Sequence, residues 1–395
     1  MARQTVIAAN AKVINDPRDS SVSIDEAKPK QKPEDELVAW VMTRLDAWRA
    51  YRDTNYGADW DAYERLWRMI WSGTEQMRKS ERSKVVTPAL SEAVENSVAE
   101  AEEAIFGRGD FFDIKSELRD PELLKKATEI NKLHLKEDLG QTGFVPNVSE
   151  ILLYGAIYGT GIGEVVMKKR ISREIEAVMD ASGQPVDIKV VKSENDYACL
   201  HSISPRNFLI DPVAKTIDEA LGCAIEEYVG AHTIRAGQED KIYRDVPIKA
   251  DSGDQLLSAD PLTTSEATQD KVHVYRYYGL VPERLLNPAK VEKDELADAL
   301  AEVKGEKKET AVEAGSTEPV STKLIEAVIV IANKTTLLKA EKNEFAMEDR
   351  PVVAFQWDVV PGRFWGRGVC EKGTSSQKVL DAEIRSRMDA MAYSG

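Results

Sequence analysis

The sequence predicts an α+β fold with a mainly helical N-terminal region, a mixed β-rich centre and a long C-terminal helix. Apolar residues recur at helical spacing between residues 37 and 71. Short runs rich in β-branched and aromatic residues, such as 272–281 and 324–331, are typical of strands. Residues 351–393 pass from an alternating strand through a glycine-rich turn into a helix. Together these patterns predict a chain whose last element is a long helix.

The bulk composition limits the function classes. A chain of 395 residues is long enough for about two or three domains. The formal net charge of −15 argues against a protein that holds nucleic acid by neutralising its phosphates, but not against one through which DNA passes. The three cysteines have no CxxC spacing and are expected to be reduced thiols. No apolar run is long enough to span a membrane and Met1 to Asn10 lacks a signal-peptide core, so we expect a soluble protein made in a cytoplasm.

Residues 1–33 are polar, charged and proline-containing, which predicts a flexible arm. Residues 34–160 are predicted to be a helical region, with a break at Asn55-Tyr56-Gly57. Five of the seven tryptophans lie in its first part, at helical spacing. Such a stripe forms either a core or an interface between subunits. The candidate interface aromatics are Trp40, Trp48, Trp60, Trp67, Trp71 and Trp365.

Further helix boundaries follow from local signals. Thr87-Pro88 predicts an N-cap and a first helical position, with Gly107 as the stop. A second helix is predicted from Pro121 to Leu139, and an apolar one from Val148 to Tyr158. The glycines of 159–163 follow that last helix and precede a strand. Phosphate-binding glycines have the opposite order, so we interpret these as a helix stop and a turn.

The centre is predicted to be mostly β. Residues 161–239 form one β-rich region, with a hairpin at 181–184 and strands at 197–203 and 222–229. Residues 240–350 form a second, in which 287–322 is a Lys/Glu/Ala-rich insertion with too little apolar surface to fold alone. A polar excursion is predicted at 235–270, and a hairpin with its turn at 333–335.

Residues 351–395 are predicted to form a sheet-edge strand, a Pro361-Gly362 turn and a helix from Thr374 onward. The apolar side chains of that helix recur at 379, 380, 384, 388 and 391. Its polar side is predicted to carry Lys378, Arg385 and Arg387.

The sequence carries no common catalytic or nucleotide-binding motif. The sequence has no GxxxxGK[ST], HExxH or GxSxG motif and no zinc-ligand spacing. The four histidines are isolated in the sequence. We therefore expect no catalytic residue, no cofactor and no metal, and a protein that is not an enzyme.

Several stretches resemble the portal (head-to-tail connector) proteins of tailed phages, particularly short-tailed ones. The strand and turn PVVAFQW…PGRFWGRG with the helix end RSRMDA is similar to the portal pattern. WDAYERLW, RSKVVTP and FGRGDFFDI resemble the helical region of that family. YGAIYGTGIGEV and SPRNFLIDPVAK resemble its helix-glycine-strand step and a following strand. These motifs occur in the family's order over most of residues 34–395.

The resemblance implies a dodecameric ring at one capsid vertex, which serves as the channel for packaging and ejecting double-stranded DNA. Residues 34–239 would form the wing, part of 240–350 the clip, and the helix of 374–393 the stem. The implied channel or inter-subunit residues are Lys378, Arg385 and Arg387. The implied partners are the large terminase, adaptor or tail proteins and the capsid or scaffolding protein, with DNA passing without sequence specificity and the assembled ring residing in the virion.

One departure from the family pattern is that the chain ends at Ser394-Gly395, where portals usually continue into a crown or barrel. That part is expected to be reduced or missing here. The main alternative is another structural or adaptor protein of a virion without a ring channel. A third possibility is a nucleotide-dependent enzyme built on Gly159 to Gly163.

Overall fold

The computed structural model describes residues 33–71, 82–107, 111–114, 121–179, 185–248, 271–286, 323–343 and 349–394, with Met77, Lys79 and Gly109. For residues 33, 121–124, 141, 169–179 and 185–196 it describes the backbone alone. The described chain is an α+β fold that ends in a long C-terminal helix. The predicted turn at 181–184 and charged insertion at 287–322 lie outside the described residues, as do residues 249–270 of the polar excursion.

The helices carry the outer layers of the fold. They are α1 (Pro33–Arg52), α2 (Ala58–Trp67), α3 (Ala89–Phe106), α4 (Pro121–Gln141), α5 (Phe144–Tyr158), α6 (Ala231–Glu239), α7 (Glu283–Leu286) and α8 (Val369–Ser394). A π-helical turn, Asp53–Gly57, joins α1 to α2 where the sequence predicts a break.

The strands form two antiparallel sheets. They are β1 (Thr160–Met179), β2 (Pro185–Ile203), β3 (Phe208–Ile210), β4 (Gly222–Gly230), β5 (Lys271–Pro282), β6 (Leu324–Ala332), β7 (Thr336–Lys342) and β8 (Val352–Gln356). The first sheet has the order β2-β1-β8 and the second the order β3-β4-β5-β6-β7. As predicted, β8 lies at a sheet edge and β6 returns into β7 through a tight turn, in which Asn333 and Lys334 both have positive φ.

The five-stranded sheet is covered on both faces. Alternate residues of its strands point to opposite sides, so Tyr275 and Tyr277 pack against α1 while Val272 and Val274 pack towards α6. The α1 stripe at this contact includes Leu37, Val41, Leu45 and Trp48, all buried. Burial of each such side chain contributes about 1.5–3 kcal/mol.

A second core lies where the three-stranded sheet meets the helices. It draws buried residues from widely separated parts of the chain: Trp60 of α2, Leu90 of α3, Ile157 of α5, Val352 of β8 and Trp365 before α8. Because these elements share one core, the C-terminal helix starts from the centre of the folded body.

Two buried ion pairs tie the layers together. Glu226 of β4 is bound by the Arg49 guanidinium of α1 at 2.6 Å. Glu164 of β1 is bound by Arg276 of β5 at 2.7 Å, and the Tyr278 hydroxyl donates to it at 2.8 Å. Burial raises the pKa of both carboxyl groups, and the neighbouring arginines oppose that rise. The second pair links the two sheets.

Several local features differ from the prediction, among them Gly161 and Gly163, which were expected in a turn and lie in β1. Helix α8 begins at Val369, five residues before Thr374, and α3 begins at Ala89 with no side-chain cap. Residues 231–239 form α6, which overlaps the start of the polar excursion predicted at 235–270. The Thr87 hydroxyl, which was expected to cap α3, donates instead to Asp381 at 2.6 Å and accepts from the Gln377 side-chain amide at 2.7 Å.

Candidate functional site

The start of α8 is fixed by close backbone contact between glycines. Gly159 has φ of 95° and ends α5, as predicted. A Cβ at Gly159 would lie 2.2 Å from the Gly366 carbonyl oxygen, and one at Gly368 would lie 2.5 Å from the Ala156 oxygen. The Gly366 amide donates to the Thr160 hydroxyl at 2.8 Å. Side chains at these positions would push the turn away from α5, so the glycines set where α8 begins.

Aromatic side chains of the same turn pack into the core. The Trp365 ring packs edge-on against Trp60 with centroids 4.9 Å apart, and Phe364 packs against Phe208 at 5.8 Å. Cys370, in the first turn of α8, is fully buried. The base of the helix is therefore part of the core.

The buried face of α8 beyond its base is polar. Gln377, Asp381, Arg385 and Asp389 recur every four residues and are each less than 9 % exposed. They bind the backbone of the extended segment that precedes α3, residues 82–88, which we call the strap. We call the four side chains the ladder.

Each ladder side chain bonds main-chain groups of the strap region or of the first turn of α3. The Ser83 amide donates to Asp389 at 2.7 Å, Arg385 donates to the Val85 carbonyl at 2.6 Å, and the Thr87 amide donates to Asp381 at 2.9 Å. Gln377 donates to the Thr87 carbonyl at 2.8 Å and accepts from the Leu90 amide at 3.1 Å.

The ladder is possible because the residue spacing along the helix matches the residue spacing along the strap. Four helical residues rise about 6 Å and two extended residues about 6.6 Å. A polar side chain on every helical turn therefore meets every second residue of the strap. Since the strap has no strand partner among the described residues, these bonds satisfy backbone groups that would otherwise be buried unpaired.

Because the ladder is buried, the exposed side of α8 differs from the side that the sequence predicted. Arg385 lies inside the chain, 7 % exposed, whereas Lys378 and Arg387 are exposed. Arg387 pairs with Glu383 one turn earlier on the same exposed side. The exposed apolar side chains of the helix are Val379 (68 %), Met388 (41 %), Met391 (65 %) and Tyr393 (73 %).

The candidate aromatics fall into two groups. Trp48, Trp60 and Trp365 are no more than 6 % exposed and pack within the cores. Trp40 and Trp67 are partly buried, and Trp40 carries the Arg44 guanidinium 3.5 Å above its ring. Trp71 is 41 % exposed, with the Lys84 ammonium 5.4 Å from its ring centre.

An exposed charge cluster braces the turn before α8. Asp358 accepts hydrogen bonds from Lys372 and Arg367, at 2.8 and 2.9 Å. These bonds hold the pKa of the Asp358 carboxyl below its usual value. The cluster links the turn to the first turns of α8.

The sequence interpretation missed Gln377, Asp381 and Asp389. Their spacing of four was visible, but polar residues at helical spacing normally mark the solvent face, and only the fold brings the strap, nearly three hundred residues earlier, against them.

The described residues contain no group of three or more His, Cys, Asp or Glu that could hold a metal ion. Within the same residues, no helix is long and apolar enough to cross a membrane. No protein-family model matches the chain, and no curated protein matches it.

Proposed function

We propose that the chain is the subunit of a portal ring, with α8 as the stem helix and neighbouring copies packed side by side around a DNA channel. The observation that carries the proposal is the inverted burial of α8. The ladder bonds the chain's own strap, while four large apolar side chains of α8 are at least 41 % exposed (Val379, Met388, Met391 and Tyr393). Apolar side chains exposed on a firmly held helix are typical of a surface that another subunit covers.

The charges of the chain fit a channel through which DNA passes better than a surface that binds DNA tightly. A protein that binds DNA by counterion release needs clustered Lys and Arg, whereas this chain has 68 acidic and 53 basic residues. Lys378 and Arg387 are exposed on α8 and Arg387 is paired with Glu383, so positive charge on this helix is sparse. A duplex passing such a wall would slide without being held.

The proposed role places other activities on partners. ATP hydrolysis would belong to the large terminase, which docks on the ring during packaging, and adaptor or tail proteins would replace it afterwards. Capsid or scaffolding protein would surround the ring at one vertex of the virion. The motifs that resemble portals, such as SPRNFLIDPVAK at 204–215, support this assignment.

Electron microscopy of the purified full-length chain tests the proposal. We expect rings of twelve copies with a central hole wide enough for duplex DNA. A chain that stays a single subunit at high concentration would overturn the proposal. It would leave the alternative of a virion protein without a ring.

A further inference from the structure

A small cavity lies where the end of α1, the π-helical turn, the segment after β3 and the turn before α8 meet. Its volume is about 50 Å³, room for roughly three to five water molecules. Aromatic rings form much of its wall, among them Tyr51, Tyr56 and Trp365. None of the α8 side chains on which the proposed ring depends lines the cavity.

The π-helical turn shapes this wall. In an α-helix, residues five apart point about 140° away from each other. The wider turn at Asp53–Gly57 brings Tyr51 and Tyr56 to the same side, with ring centroids 6.4 Å apart. Tyr56 also lies 6.1 Å from Trp365. A π-turn interrupts regular helical bonding and occurs frequently at functional sites.

Two of the three charged groups at the cavity are already engaged. The Arg52 guanidinium binds Asp53 at 2.8 Å and donates to the carbonyls of Arg206 and Phe208. The Asp211 carboxylate accepts from the amides of Val213 and Leu221, at 3.2 and 3.4 Å. Arg52 is therefore already paired, and Asp211 is held by the backbone of the segment that follows it.

Arg363 is the third charged group at the cavity, and its side chain is weakly paired. Its side chain makes one long ion pair, to Glu371 at 3.6 Å. Its Nε is buried and has no hydrogen-bond partner among the described residues. The side chain as a whole is 33 % exposed, so the end of the guanidinium remains open to an acceptor.

We propose that this cavity binds a small carboxylate, whose oxygens pair with the Arg363 guanidinium and whose one or two methylene groups lie against the tyrosine rings. Arg prefers planar two-oxygen acceptors, and the volume fits a carboxyl group with a short apolar stem. The carboxylate comes either from a free small acid or from a Glu or Asp side chain of a partner protein.

Ligand-observed NMR on the full-length chain tests this at constant ionic strength, with sodium propionate as the probe and propionamide as its neutral match. We expect saturable propionate binding and at least tenfold weaker propionamide binding. Equal binding of both probes, or no saturable propionate binding, would overturn the proposal. Both probes are tested on the unchanged chain, so the result does not depend on whether a variant folds.

Variants then locate the site. Arg363→Gln is expected to weaken propionate binding at least tenfold, and Arg367→Gln, an exposed arginine on the same turn, to leave it unchanged. Propionate binding that survives Arg363→Gln would place the carboxylate elsewhere and defeat the assignment. Acetyl-glutamate N-methylamide separates the two sources: binding equal to that of propionate identifies a partner's acidic side chain, and its exclusion identifies a free acid.

Discussion

Asp381 accepts three hydrogen bonds at the buried contact between α8 and the strap. They come from the Thr87 amide, the Thr87 hydroxyl and the Gln377 side-chain amide, at 2.9, 2.6 and 3.0 Å. Asp381→Ala would leave the Thr87 amide and hydroxyl without this acceptor, whereas Gln377 would keep its bond to the Thr87 carbonyl. Each donor left unpaired in this contact costs about 1–3 kcal/mol. We expect the free energy of unfolding, measured by urea denaturation, to fall by about 3 kcal/mol.

The matched control for that substitution is Glu383→Ala on the same helix. Glu383 is exposed, and within the described part of the chain its ion pair is with exposed Arg387, so its loss should change stability by less than about 0.5 kcal/mol. Equal losses for the two variants would show that the ladder does not hold α8 to the body.

Two cysteines give a second residue-scale prediction. Cys223 and Cys370 are fully buried, and burial raises the pKa of each thiol to about 12. The thiolate is the reactive form, and it is scarce well below that pKa. We expect iodoacetamide at pH 8 to leave both unmodified in the native protein and to alkylate them in urea, as read by mass spectrometry. Rapid native alkylation of either would mean that its core opens.

Among elements, the glycine contact between α5 and the turn before α8 matters most. Gly159→Ala would place a Cβ 2.2 Å from the Gly366 oxygen at φ of 95°, so both overlap and backbone strain oppose it. We expect a loss of more than about 2 kcal/mol in thermal or urea unfolding.

Gly140→Ala is its control, because a Cβ there meets nothing within 4 Å and the residue lies in helix α4. Alanine should be neutral or stabilise the helix by up to about 1 kcal/mol. If Gly159→Ala lowered stability no more than Gly140→Ala, the turn would not need the close backbone approach between Gly159 and Gly366.

The outward face of α8 gives a prediction about assembly. Val379→Glu places a charge where the proposed neighbour packs, and Val379 is 68 % exposed within one chain. We expect the variant to keep the wild-type circular dichroism spectrum and unfolding midpoint but to lose ring formation in size-exclusion chromatography with light scattering. The same change at Val213, which is 85 % exposed and follows β3, should leave assembly intact. Rings that survive Val379→Glu would exclude this face as the contact.

At the scale of the whole molecule, the elements that the sequence predicted correctly are those with a clear apolar periodicity. Strands such as β5 and β6 were predictable because their apolar runs are bounded by turn residues, and the α1 stripe because Leu37, Val41, Leu45 and Trp48 recur at helical spacing and are buried. Helix α8 begins before the predicted Thr374 and includes Gly373. The missing side chain of Gly373 makes room for Leu90 of α3, a contact between distant segments that local pattern does not reveal.

The ladder could not be predicted because it depends on tertiary context. Nothing local distinguishes Gln377 or Asp389 from solvent-facing residues, and their partners lie 287 and 306 positions away in the chain. Helix α6 was missed for a related reason: only two of its residues, Ile234 and Gly237, are buried, so its apolar signal is weak. Sequence patterns report local periodicity, and contacts between distant segments remain beyond them.

The mass of the native particle tests the central claim most directly, that copies of this chain assemble through the outward face of α8. Native mass spectrometry of the full-length protein over a range of concentrations should show a species of about twelve times the 43.9 kDa of one chain. A single 43.9 kDa species at every concentration would contradict it.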